Sequence, residues 1–378
     1  MNIAIYDAEH YEGVYPLIKI FGTANNRLTI FTSSSSIDRL HEMLKGDFFK
    51  HKWIVIEPQK RSFKYFRRVK ALLQVAKAEF VIFNTISTHQ HFYAKLIDSV
   101  GADRCMITVH NINNFFEPSP GIGIKSFLNN IGKRKLKKNL HYFNVINEAL
   151  LPKLKEQLNA GQEAITIPGG LFEATFPVTP LSSPIKLVVP GTVDKGRRNY
   201  DQIFDLAVMA ESIELPLEIS IVGGMQSAYA RQLIERINAS SYQYVTIHYT
   251  DYPVVPQPVY DEAIGKGHFI WIPSIIHFQM EKGLPEIYGV TKSSGNVFDI
   301  IRSSKPYLAP TALNMPLELQ ETGFHYQHLR NLIEYLQELH LHPEQYNELL
   351  INSQQVAQNF SVDAVKNRLP AIFKAMTA

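Results

Sequence analysis

The stretch Asn2-Ile3-Ala4-Ile5-Tyr6-Asp7 opens the chain with a short apolar run that lacks strict alternation. Such a run reads as a β-strand covered on both faces. Six more of its kind follow: Leu28 to Thr32, Trp53 to Glu57, Phe80 to Asn84, Met106 to His110, Phe143 to Asn147 and Ala164 to Pro168. Longer amphipathic stretches separate them. Strand–helix–strand repetition predicts a parallel, doubly wound sheet. A second series begins near residue 185: Ile185 to Val189, Leu217 to Val222, Val245 to Tyr249, Phe269 to Pro273 and Tyr307 to Pro310, with helical patterns such as Tyr200 to Ala210 and Ala228 to Ile237 between them.

Between the two series lies Pro177-Val178-Thr179-Pro180-Leu181-Ser182-Ser183-Pro184. Prolines and serines at this density read as a linker. The organisation expected is an N-terminal domain at 1–176, a linker at 177–184, a C-terminal domain at 185–355, and a closing segment at 356–378. That closing segment is expected to be one helix, Val362 to Met376, packing back on the N-terminal domain. The fold class is therefore α/β, with two Rossmann-like, doubly wound parallel-sheet domains facing each other across a cleft. Ligands of such sheets bind beyond the carboxyl ends of the strands, so site residues are sought there.

Composition narrows the function. In 378 residues, 45% hydrophobic and 19% charged, there is enough apolar material for two cores. A net charge of +3 gives no case for nucleic acid. No apolar run reaches about 18 residues, and the first residues read as a strand, so neither a transmembrane helix nor a signal peptide is expected. The single cysteine, Cys105, lies in an apolar run and excludes an internal disulfide or a cysteine-based metal site. A cytoplasmic location follows as an expectation.

Four landmarks in the second half carry a resemblance. The first is Val188-Val189-Pro190-Gly191-Thr192-Val193-Asp194-Lys195-Gly196-Arg197-Arg198-Asn199-Tyr200, a strand and a basic turn. The second is Leu217 to Gly224, a strand ending on two glycines. The third is Phe269-Ile270-Trp271-Ile272-Pro273-Ser274. The fourth is Glu286 to Asp299, followed by Lys305-Pro306-Tyr307-Leu308-Ala309-Pro310. In this order they resemble the nucleotide-binding domain of the large family of retaining GT-B glycosyltransferases, the group 1 or family 4-like enzymes with an E-x7-E motif. The N-terminal half is similar only in pattern, through Val109-His110-Asn111 and Ile167-Pro168-Gly169-Gly170.

The chain also departs from that pattern. Glu286 matches the first glutamate, but the position of the second is Ser294. Counting back from Pro306 instead reaches Asp299, so we read a short insertion at Lys292 to Asn296, with Asp299 as the second acid. The arginine usual after the first glycine of this domain is Thr192 here; Arg198 or Arg197 takes its place.

What the resemblance implies is a sugar nucleotide as donor, a UDP- or GDP-sugar, with no cofactor and no metal. A departing nucleoside diphosphate needs its charge stabilised. Lys292, Ser293, Ser294, Gly295 and Asn296 precede a helical run at Val297 to Ser303, and a capped helix N-terminus is an anion site. An ordinary capped helix would show the same residues. Asp299 would accept hydrogen bonds from ribose hydroxyls. Glu286, on a loop facing the cleft, and His110, at a strand end, would contact the transferred sugar; either would also serve as a solvated or structural group. Gly13, in the loop after the first strand, would approach the diphosphate. No acidic D-x-D triplet occurs to hold a diphosphate-bound cation.

Two basic stretches mark the N-terminal half. One holds Lys60, Arg61, Lys64, Arg67, Arg68 and Lys70 among Phe63, Tyr65 and Phe66; the other holds Lys125, Lys133, Arg134, Lys135, Lys137 and Lys138 beside Phe127 and Leu128. Such segments suit an anionic membrane surface, or simply a solvated face. The expected partners are the sugar nucleotide, a saccharide or lipid-linked acceptor, and the inner face of the plasma membrane, bound electrostatically and released by salt because no apolar anchor is evident. The alternative functions are a catalytically silent sugar-nucleotide-binding subunit and a sugar-nucleotide epimerase of the same two-domain build.

Overall fold

A computed structural model of the chain describes residues 1–7, 9–57, 62–279 and 283–377. They form two compact units: unit 1 comprises 1–170, 279–293 and 362–378, and unit 2 comprises 171–278 and 294–361.

Unit 1 is built on seven strands: β1 (Asn2–Tyr6), β2 (Arg27–Thr32), β3 (Lys52–Val55), β4 (Phe80–Phe83), β5 (Cys105–Thr108), β6 (Tyr142–Val145) and β7 (Glu163–Thr166). Their order is β3-β2-β1-β4-β5-β6-β7, and every pairing is parallel. The strand order reverses between β1 and β4, the position at which such sheets bind ligands. Both faces are covered, which is why β4 and β5 are buried at every position. Tyr6, Phe31, Phe83, Ile107 and Phe143 lie in the core on one face of the sheet.

Unit 2 repeats the plan with β8 (Ile185–Pro190), β9 (Leu217–Val222), β10 (Val245–Tyr249), β11 (Phe269–Trp271), β14 (Tyr307–Pro310) and β15 (Gly323–Tyr326). The order is β10-β9-β8-β11-β14-β15, again parallel throughout, with the reversal between β8 and β11. Two short strands, β12 (His277–Gln279) and β13 (Pro285–Ile287), come between β11 and β14 in the chain.

The strands read from the sequence are present within a residue or two at their ends. β12, β13 and β15 escaped that reading because they are only three or four residues long and carry His, Gln or Pro among few apolar residues. The closing helix is broken: Val362–Arg368 and Ala371–Thr377 are separate, because Pro370 has no N–H to continue the first and disfavours helical backbone at Leu369. Residues 362–378 belong to unit 1, where Phe373 packs edge-on against Phe21, Phe80 and Tyr142. The stretch read as a linker, 177–184, is fastened down on unit 2. Thr179 Oγ1 donates to Gly265 O at 2.9 Å, its own carbonyl accepts from Tyr346 Oη at 3.2 Å, and Lys305 Nζ donates to Thr179 Oγ1 at 3.0 Å.

Candidate functional site

In unit 1 the polar residues gather where β1, β4 and β5 end. Asp7 follows β1 and is fully buried. A buried carboxylate needs donors on both oxygens. Oδ1 accepts the backbone N–H groups of Glu9 (2.5 Å) and His10 (2.7 Å); Oδ2 accepts Asn84 Nδ2 (2.6 Å) and Thr85 Oγ1 (2.7 Å). His110, just beyond β5, donates from Nε2 to the Asn84 carbonyl at 2.7 Å. A carbonyl can only accept, so Nε2 carries the proton and a neutral ring presents Nδ1 as an acceptor. Burial, reinforced by the neighbouring His10 ring with centroid 5.1 Å away, brings the His110 pKa down to about 4, so the ring is neutral at ordinary pH.

Gly13 is in the first turn of the helix Tyr11–Phe21, not in a loop as the sequence reading expected, because the turn after β1 is short. A Cβ there would lie 2.7 Å from Asn84 Nδ2.

Glu286 also differs from its expected place on an open loop. It sits in β13, 1% exposed. Its Oε1 accepts Asn114 N and Asn114 Nδ2, both at 2.8 Å, and Oε2 accepts Asn113 N at 3.4 Å. The carboxylate thus satisfies free N–H groups of the short helix Ile112–Phe116. The two chain segments are joined further by Asn114 Oδ1 accepting Leu284 N (2.8 Å), by Ile112 N donating to Thr291 O (2.8 Å), and by Lys292 Nζ donating to Asn111 Oδ1 (2.6 Å). Lys292 therefore belongs with His110 and Asn111 in unit 1. Ser293 is there too, with its Oγ accepting from Asn147 Nδ2 at 3.3 Å.

In unit 2 the corresponding strand ends are made of glycine. Gly191 follows β8 with φ +100°, and a Cβ on Gly223, after β9, would stand 2.0 Å from the Gly191 carbonyl. Only glycine permits that approach. Over Gly191 lies the Arg198 guanidinium, 9% exposed, donating from Nη1 to Thr192 O (3.1 Å) and from Nη2 to Asn296 Oδ1 (3.0 Å). Arg198, rather than Arg197, is thus the arginine beside the first glycine. Arg197 is exposed and pairs with Asp194 at 3.3 Å.

The helix read from Val297 begins at Asn296 and runs to Ser303; its N-cap residue, Gly295, has no side chain to offer, and Val297 N and Phe298 N donate to the carbonyls of Ser294 (3.2 Å) and Gly295 (3.0 Å). Asn296 is buried and donates to the last carbonyl of β8, Pro190 O, at 2.9 Å. Ser294 is buried, whereas Gly295 is exposed, and nothing would meet a Cβ on Gly295 within 4 Å. Asp299, 8% exposed, accepts Tyr260 Oη (3.0 Å) and Asn296 Nδ2 (3.3 Å) on Oδ2. Burial raises its pKa to about 6 despite Arg302, Tyr260, Asn296 and Arg198 pulling the other way.

The predicted residues therefore form two sets, His110, Gly13, Glu286, Lys292 and Ser293 in unit 1, and Arg198, Arg197, Ser294, Gly295, Asn296 and Asp299 in unit 2. Sequence reasoning missed Asp7, Asn84 and Asn114. Asp7 carried a signal, an acid directly after an apolar strand; Asn84 and Asn114 carried none. Among the described residues no group of three His, Cys, Asp or Glu is placed to hold a metal ion, and no helix is long and apolar enough to cross a membrane.

This architecture is the GT-B fold of glycosyltransferases. The chain is similar to sucrose-phosphate synthase from Thermosynechococcus elongatus, with TM-score 0.66, 12% identity, and 100% of this chain and 99% of that one covered. It is similar to the pneumococcal O-GlcNAc transferase GtfA in complex with UDP and GlcNAc, with TM-score 0.62, 10% identity, and coverage of 100% and 99%. It is also similar to the UDP-GlcNAc 2-epimerase of Neisseria meningitidis bound to UDP-GlcNAc, with TM-score 0.55, 13% identity, and coverage of 97% and 98%. No family model matches the chain, and no curated protein sequence matches it.

Proposed function

We propose that the chain is a retaining, metal-independent glycosyltransferase. It moves a sugar from a UDP- or GDP-sugar to a saccharide or lipid-linked acceptor in surface polysaccharide or glycolipid synthesis. The observation that carries this reading is the arrangement at the end of β8. A buried guanidinium, Arg198, is linked through Asn296 to the N-terminus of the helix Asn296–Ser303, and a carboxyl, Asp299, lies one turn further on. Guanidinium and helix N-terminus suit a diphosphate, and Asp299 suits ribose hydroxyls. Lys292, Ser293 and Gly13 are assigned to the diphosphate, and His110 to a hydroxyl of the transferred sugar, through Nδ1. Glu286 is assigned to the sugar on the resemblance alone; its three hydrogen bonds to Asn113 and Asn114 describe a positioning group equally well.

An epimerase shares this fold and has a local argument too, since Asp7, His10 and His110 adjoin one another. Acid–base chemistry at a sugar carbon needs groups free to exchange protons near neutral pH. Asp7 spends both oxygens on four hydrogen bonds and His110 is only weakly basic, which favours glycosyl transfer.

The test is nucleoside diphosphate release from a panel of UDP-, GDP-, CMP- and TDP-sugars, with and without saccharide acceptors, in EDTA, with the product anomer read by NMR. The expected result is acceptor-dependent release with retention of configuration in EDTA. Interconversion of the free donor would establish the epimerase, binding without turnover a silent subunit, and strict dependence on Mn²⁺ or Mg²⁺ would remove the metal-independent mechanism. Gly295→Val has room for its side chain, so it is expected to abolish donor binding while leaving the thermal midpoint within about 2 °C. Native affinity in that variant would detach the diphosphate from this helix.

A further inference from the structure

The helix Ile124–Asn139 in unit 1 has two unlike faces. Gly132 fixes the inner one. A Cβ there would lie 2.1 Å from His91 N and 2.3 Å from the Gln90 carbonyl carbon, so the helix is seated backbone-to-backbone on the first turn of the helix Gln90–Val100. Lys133 and Leu136 are buried with it. The outer face carries Ile124, Phe127, Leu128, Lys135 and Lys138, spaced to lie along one side. Phe127 is 60% exposed and Ile124 79%.

The turn leading in shows more apolar surface still. Ile122 is wholly exposed between Gly121 (φ +130°) and Gly123 (φ +149°). Those backbone angles favour glycine, so the turn holds a shape that points Ile122 outward. The turn is tied to its own helix, Ser119 N donating to Asn130 Oδ1 (2.7 Å) and Ser126 Oγ to Ser119 O (3.1 Å). Exposed apolar residues scattered singly need no explanation, but four within seven positions do.

Charge selects the occupant. From Ile122 to Asn139 there is no Asp or Glu, and Lys125, Arg134, Lys135 and Lys138 are exposed. The helix Phe63–Val75 packs on the other flank of Gln90–Val100, through Phe66 stacked on Phe92 at 5.0 Å. It too lacks acids, and it exposes Lys64, Arg67, Arg68 and Lys70 together with Phe63 at 61%. Lys60 and Arg61, the rest of that basic stretch, lie outside the described residues.

We propose that Ile122, Ile124, Phe127 and Leu128 form a preformed apolar tip that inserts into the interfacial layer of an anionic lipid membrane, with the exposed lysines and arginines of the two helices on the headgroups. A purely electrostatic partner leaves the tip in water; an uncharged apolar partner leaves the basic residues unanswered. The proposal adds an anchor to the electrostatic attraction expected from the sequence, and it gives a lipid-linked acceptor a physical reason. It does not depend on the glycosyltransferase reading, because the binding is measured without donor.

The experiment is co-sedimentation of the full chain with phosphatidylcholine vesicles, with and without phosphatidylglycerol, at low and high salt. Each Lys or Arg near the anionic surface contributes roughly fivefold in affinity and each inserted apolar side chain roughly tenfold or more. The expected result is binding to anionic vesicles that weakens but persists at high salt. Ile122→Ser with Phe127→Ser removes the salt-resistant part, while Arg134→Glu with Lys135→Glu and Lys138→Glu weakens the preference for anionic lipid at least about tenfold. Both variants change exposed residues, so their circular dichroism and sugar-nucleotide binding stay at wild-type levels. No binding to either vesicle, or a tip variant that binds as wild type does at high salt, overturns the proposal. So does a wild-type dimer in analytical ultracentrifugation that the tip variant dissolves, since that assigns the tip to a second copy of the chain.

Discussion

At the end of β1, Asp7 gathers four hydrogen bonds around one buried carboxylate; at the equivalent end of β8, Gly191 offers no side chain at all. Both points lie where the strand order of a parallel sheet reverses. In unit 1 the space is filled by side chains, with Asn84 and Thr85 bound to Asp7 and His110 bound to the Asn84 carbonyl. In unit 2 backbone meets backbone, Gly191 against Gly223, and Arg198 and Asp299 are both joined to Asn296 beside them. Side-chain networks resist a misplaced hydrogen bond; glycine contacts resist any added atom.

The sharpest way to break this contrast is to add atoms at both ends. Gly223→Val is expected to cost about 3 kcal/mol or more, since its Cβ would fall 2.0 Å from a backbone oxygen and the strand cannot retreat without losing its neighbours. Gly13→Ala is expected to cost about 1–2 kcal/mol, because its Cβ meets the Asn84 amide at 2.7 Å and the penalty is a disturbed Asp7–Asn84 bond. Chemical denaturation of both variants measures the difference. Equal losses would mean that the two strand ends are equally unyielding.

Next in size is Arg198→Met, which keeps much of the apolar stem and removes the charge. Loss of a charge-assisted contact to diphosphate is expected to weaken donor binding by about 2–3 kcal/mol, roughly 30- to 150-fold. Arg197→Met, already paired with Asp194 on the surface, is expected to change it less than threefold. Calorimetric titration with the donor identified by the panel ranks them; the reverse order would move the phosphate contact to the exposed arginine.

How legible this was in the sequence depended on the kind of signal. The sheets announced themselves because buried parallel strands are continuous apolar runs, as in Phe80 to Phe83. Arg198 was legible as one of two arginines, and burial separates it from Arg197. The hydrogen-bonded sets were not legible. Nothing local to Glu286 says that its carboxylate meets Asn113 and Asn114, since the pairing spans 172 positions from Asn114. Nor did Ile122 read as exposed, because the outward turn is a property of two glycine φ angles.

The smallest effect expected is a pH dependence carried by Asp299 in unit 2. Burial holds the Asp299 pKa at about 6, above the ordinary value near 4, so the fold prefers its protonated form. The sign for stability follows: between those two values the folded chain binds more protons than the unfolded chain, and the contribution of Asp299 declines as pH rises through about 6. Donor binding runs the other way. Ribose hydroxyls donate to an ionised carboxylate, so affinity is expected to fall, by up to about tenfold, as pH drops through about 6. His110, at about 4, stays neutral in the folded chain over that window and adds no slope to donor binding; its unfolded ring titrates near the ordinary value of about 6.5, so its contribution to stability rises with pH between about 4 and 6.5. Asp299→Asn should therefore remove the acid limb from donor binding, leaving a lower, pH-independent affinity, and remove the Asp299 share of the stability profile, whereas His110→Asn should leave the acid limb of donor binding as it is. Titration calorimetry from pH 5 to pH 8 on the three proteins measures this, and an acid limb that survives in Asp299→Asn would transfer the titrating group to another residue.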